Sequence, residues 1–98
     1  MALDSATSSD AGNLATTAVR DRVRAVIVTI LNERGPLTDD EIVDQYAARA
    51  GSHPLVPVVT PQRVRTARHG LVIDGLVRDT EAFGFSALGN RATVWGLT

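Results

Sequence analysis

Residues 60–79, TPQRVRTARHGLVIDGLVRD, carry a helix-start signal, and residues 91–98, RATVWGLT, alternate like the closing strand of a hairpin. Thr60 is suited to an N-cap, and Pro61 suits the first helical position, where its missing N–H costs nothing. The spacing predicts a helix over about 61–75, with Val64, Ala67, Leu71, Val72 and Gly75/Leu76 facing inward. The helix carries Arg63, Arg65 and Arg68 and no acid before Asp74. A short basic helix that runs straight into a β-hairpin leaves few architectures open. The upstream chain must supply the remaining helices of a small, mainly helical α+β domain.

That upstream chain is patterned for the task. Val19, Val23, Val26, Ile27, Ile30 and Leu31 recur at helical spacing over about 15–34, and Gly35-Pro36 stops the helix. Asp21, Ala25, Val28 and Asn32 fall on the opposite side. Val28 there marks either a second contact, such as a dimer partner, or a single exposed apolar residue. A second helix is predicted over about 39–50. Thr38 and Glu41 form a capping box, three acids in the first turn suit the helix dipole, and Gly51 ends it. Capping accounts for this acidic cluster without a metal or a catalytic role. Residues 51–60, GSHPLVPVVT, connect the helices, with Pro54 and Pro57 keeping them extended and Leu55, Val58 and Val59 covering a core edge or forming a short strand. His53 is read as a surface loop residue.

Downstream of the third helix, LVRD (76–79) is expected to be the first strand, 81–90 the tip and 91–97 the return strand. Trp95 is expected to pack against helix 1 or helix 3. Arg68 falls near the inward stripe and is expected to lie along helix 2 and pair with an acid there. Gly70 costs a helix about 1 kcal/mol relative to Ala and marks a close approach or a bend. Residues 1–13, MALDSATSSDAGN, lack an apolar period and are read as a disordered tail before a single domain over 14–98.

Composition excludes several classes of function. The chain has no cysteine and two histidines, which argues against a disulfide scaffold, a zinc ribbon or a His-rich metal site. There is no Ser-His-Asp arrangement with supporting context and no glycine-rich phosphate loop, so no enzyme, cofactor, metal or small-molecule substrate is expected. No 18-residue apolar run and no signal-peptide pattern is present, and the expectation is a cytoplasmic protein. All ten basic residues are arginine, which suits bidentate contacts to guanine and phosphate; a GC-rich coding bias gives the same preference. The net charge of −1 does not suggest a nucleic-acid binder, but residues 61–70 hold three arginines, His69 and no acid.

GPLTDDEI, TPQRVRTARHGLVIDGLVRD and GNRATVWGLT together resemble the winged helix-turn-helix family, and look most like the small winged-helix proteins of actinobacterial bacteriophages. The resemblance covers roughly residues 18–98. It implies three helices and a C-terminal hairpin wing, with helix 3 entering the major groove of double-stranded DNA. Gln62, Arg63, Arg65, Thr66 and His69 would face the groove, and Arg78, Asn90 and Arg91 would lie at the wing. It further implies a small transcriptional regulator or phage accessory factor, in the host cytoplasm if phage-encoded. The wing tip departs from a basic pattern: it carries Glu81, Phe83, Phe85, Ala87 and Leu88. An apolar tip suits a protein contact, a dimer contact or folding back over the core. A winged-helix protein-interaction module that binds no DNA, through Phe83, Phe85 and Leu88, is therefore the alternative.

Overall fold

The computed structural model describes the backbone of residues 2–98 and the side chains of residues 17–98, and the tail expected over 1–13 lies outside the latter. The order is α1 (Ala2–Arg34), β1 (Leu37–Thr38), α2 (Asp39–Ser52), α3 (Pro61–Ile73), β2 (Val77–Phe85) and β3 (Arg91–Leu97). The fold is α+β and mainly helical: three helices and one antiparallel three-stranded sheet of order β1-β3-β2.

The helices meet around one core. Val23, Ile27, Ile30 and Leu31 of α1 pack on Ile42 and Tyr46 of α2 and on Val64, Ala67 and Leu71 of α3, and Val77 closes the sheet end. This is the helical periodicity of the sequence realised as a buried stripe. Val28 is half-buried and packs against this core. Ala47, on α2, is exposed. Tyr46 carries its hydroxyl into the apolar interior and satisfies it by donating to the Pro57 carbonyl at 2.6 Å, which also pins the loop before α3.

The helix ends follow local chemistry. α1 stops where Gly35 takes φ 81° and donates its N–H to the Leu31 carbonyl at 3.0 Å. Thr38 caps α2: its hydroxyl accepts from the Glu41 N–H, and the Glu41 carboxylate accepts from the Thr38 N–H at 3.0 Å. Gly51 does not end this helix. The chain continues helically to Ser52, and the His53 N–H closes the last turn on the Arg49 carbonyl. Thr60 caps α3 through the Arg63 N–H, with Pro61 in the first turn. The helix stops at Ile73, so Gly75 and Leu76 leave the inward stripe, and Leu76 is half exposed.

The sheet differs from the sequence reading in two ways. Its short first strand is Leu37–Thr38, before α2, rather than within residues 51–60; Leu37 pairs with Trp95 and Thr38 with Val94. The hairpin is also longer than expected. β2 runs to Phe85 through a bulge between Asp79 and Phe83, so Phe83 and Phe85 stand on a strand and the tip shrinks to a turn over 86–90. The bulge has its own hydrogen bonds. Glu81 takes φ 68° with its N–H on Asp79 Oδ1 at 2.7 Å, while the Thr80 hydroxyl donates to the Val94 carbonyl at 2.7 Å.

Candidate nucleic-acid interface

Helix α3 puts Gln62, Thr66 and His69 on one exposed stripe, with Arg63 beside it, and all four are exposed. Thr60 positions this stripe by fixing where the helix begins, and Val64, Ala67 and Leu71 position it by burying the opposite side. Arg63 forms no ion pair among the described residues. Its guanidinium is therefore available to a ligand.

Arg65 behaves differently. Its guanidinium donates to Asp40 Oδ1 at 3.1 Å, and its side chain is 40% exposed. Arg65 therefore comes to α3's outer side with a counter-ion already in place, Asp40 in the first turn of α2. Asp40 holds a second partner, the Ala87 N–H of the hairpin turn, at 2.9 Å. The Ala87 N–H and then the Arg65 guanidinium both stabilise the charged carboxylate and hold its pKa below the ordinary 3.8. Arg68 pairs with Asp39 through two hydrogen bonds of 2.9 Å and stacks on the Trp95 ring with 3.9 Å to the centroid. It is a structural clasp between α2, α3 and β3.

The expected wing set is not brought together. Cross-strand partners share a sheet face. Arg91, opposite Phe85, lies on the face that carries Trp95, whereas Arg78, opposite Gly96, lies on the reverse face. Five steps along β3 also separate the two positions, about 17 Å at strand rise. Asn90 is exposed, and its backbone serves the turn: its carbonyl accepts from the Ser86 N–H at 2.8 Å. Arg91 caps the Phe83 ring at 4.2 Å, and Phe83 meets Phe85 edge-on with centroids 5.9 Å apart. Phe83, Phe85 and Leu88 are 53%, 66% and 88% exposed. The hairpin therefore presents an aromatic patch with one cation, not a basic tip.

Two arginines outside the set expected from the sequence stand beside the α3 stripe. Arg20 and Arg24 of α1 border a cleft of about 350 Å³ against Thr60, Gln62, Arg63 and Thr66 of α3, with Val23 and Ala67 beneath. Arg24 donates to Asp74 at 2.9 Å, and its guanidinium packs over Gly70, where a Cβ would stand only 2.1 Å from Nη2. Gly70 thus marks a close approach. The i, i+4 spacing of Arg20 and Arg24 was visible in the sequence, but their relation to α3 needed the crossing of two helices.

Among the described residues no group of three or more His, Cys, Asp or Glu side chains is placed to hold a metal, and no helix is long and apolar enough to cross a membrane. No protein-family model, curated protein or solved structure matches the chain.

Proposed function

We propose that this chain is a winged-helix DNA-binding protein, a small transcriptional regulator or phage accessory factor, with α3 entering the major groove. The order α1-β1-α2-α3-β2-β3 with sheet order β1-β3-β2 is compatible with that fold. The observation that carries the reading is the exposed α3 stripe of Gln62, Arg63, Thr66 and His69, to which no carboxylate of the protein is tied among the described residues. Arg63 has the donor fork for guanine O6 and N7, Gln62 matches adenine N6 and N7, and Thr66 can hold a phosphate. With Arg65 and Arg68 neutralised within the protein, one copy makes few phosphate contacts and binds weakly. Two copies would place their α3 helices about 34 Å apart on the duplex.

Fluorescence polarisation of labelled duplex DNA tests this. Binding should be measurable at about 50 mM salt and fall steeply as salt rises. Arg63→Ala should reduce discrimination between preferred and random sites by about 1–3 kcal/mol. Absence of salt-dependent binding would remove the proposal.

A second reading draws on the hairpin. Phe83 and Phe85 are exposed on a strand, held in fixed geometry by Arg91 and by each other. Rigid exposed aromatics of this kind serve protein contacts. The hairpin would then join copies or a protein partner, with α3 left to the DNA.

A further inference from the structure

The cleft between α1 and α3 gathers cations that the groove-facing stripe alone does not account for. Arg20, Val23 and Arg24 lie at i, i+3 and i+4 on α1, and Arg63, Thr66 and Ala67 repeat that spacing on α3, so the two rows meet. Val23 and Ala67, buried at 0% and 4% exposure, make an apolar floor. Arg20 and Arg63 stand exposed at the rim, while Arg24 is fixed in place by Asp74 and by its seat over Gly70. Two carboxylates are near: Asp21 lies 3.9 Å from Arg20, and Asp74 holds Arg24. Neither lines the cleft. Its surface is mostly apolar, and the residues around it that can donate are Arg20, Arg24, Arg63, Gln62, Thr60 and Thr66.

We infer that this cleft seats a backbone phosphate of duplex DNA, beside the groove that α3 enters. The inference rests on the DNA-binding reading above and specifies where the strand is gripped. A guanidinium matches two phosphate oxygens at once; Arg63 at the rim has no ion pair among the described residues, while Arg24, already paired with Asp74, lines the cleft beside it. The source is the duplex rather than a free anion, because Gln62, Arg63 and Thr66 belong both to the cleft and to the exposed α3 stripe. A strand lying along α3 passes over the cleft. Grip therefore comes from the α1 side of α3, and the hairpin side, where Asp39 and Asp40 neutralise Arg68 and Arg65, contributes little charge.

The test uses the full chain and a random-sequence duplex of about 20 base pairs, titrated at several salt concentrations. Arg20→Gln removes one exposed cation from the rim, and Arg34→Gln, exposed and outside the cleft, is the control. Circular dichroism checks that both variants fold. Loss of one phosphate contact lowers the slope of log affinity against log salt by about 0.9, so between about 50 and 200 mM salt the wild type should lose about 3.5-fold more affinity than Arg20→Gln. Arg34→Gln should keep the wild-type slope. A wild-type slope in Arg20→Gln, with DNA binding intact, overturns the seat and leaves the DNA reading standing. No salt-dependent binding by the wild type overturns both. A third arm follows backbone amides of residues 20–24 and 60–67 by NMR with inorganic phosphate and with the duplex; perturbation by phosphate but not by the duplex overturns the assignment to DNA.

Discussion

Asp40 holds two partners at once, the Arg65 guanidinium and the Ala87 amide, and so ties α3 and the hairpin turn to the start of α2. Its carboxylate is exposed to competition from solvent, yet both partners favour the ionised form and keep its pKa below 3.8. The sign follows from that depression. The tie is complete above the ordinary carboxylate value and is lost only as pH falls through the lower, folded value. In an acid titration the Ala87 amide resonance should therefore stay put from neutral pH down to about pH 4 and move below it; movement centred at or above pH 4 would mean that the carboxylate is not held. Asp40→Ala should have the opposite functional sign from most site substitutions. It frees Arg65 on the hairpin side of α3, so the slope of log affinity against log salt should steepen by about 0.9 and affinity for duplex DNA should rise at low salt. An unchanged slope would show that Arg65 cannot reach a phosphate even when released.

At the scale of elements, α3 is set by its ends and by what it must clear. Gly70 sits where α1 crosses it. Replacing it with Ala adds helix propensity of up to about 1 kcal/mol. The new Cβ would displace the Arg24 guanidinium and disturb its pair with Asp74, a partly exposed ion pair in a class that contributes about 0–1 kcal/mol. The two effects oppose, so Gly70→Ala should shift stability by less than about 1 kcal/mol in chemical denaturation. A loss of several kcal/mol would mean that Arg24 has nowhere to go. The same element shows what a sequence can and cannot reveal. Thr60-Pro61 and Thr38-Glu41 announce helix starts because capping is satisfied within four residues. The Arg68 clasp was legible from the angle at which it leaves α3. Arg65 was not, because its partner lies 25 positions away across a helix packing that spacing does not encode. β1 has two residues and exists only by pairing with β3, so no local pattern marks it. The length of the hairpin was hidden by Glu81 and Gly84, which read as a loop until the Thr80–Val94 hydrogen bond carries the strand through the bulge.

Across the whole molecule, two exposed surfaces differ in chemistry. One joins α1 and α3 and is cationic; the other is the hairpin face of Phe83, Phe85 and Arg91. The core needs neither. Ile27→Ala removes a fully buried side chain at the centre of the helices and should cost about 2–5 kcal/mol. Phe83→Ser with Phe85→Ser removes side chains that are 53% and 66% exposed, and with no core cavity created the stability loss should stay near 1 kcal/mol. This difference makes the hairpin face testable without unfolding the protein. If the aromatic patch joins two copies on DNA, the wild type should bind a site with two half-sites cooperatively and light scattering should report a dimer at high concentration. The double variant should then bind each half-site independently, with the salt slope per bound copy unchanged, because the cations that set the slope lie on α1 and α3. Cooperativity that survives the double substitution would remove the hairpin as the contact. A salt slope that falls by about 0.9 with it would instead place the aromatic face against the nucleic acid, with Arg91, no longer seated on Phe83, losing one phosphate contact.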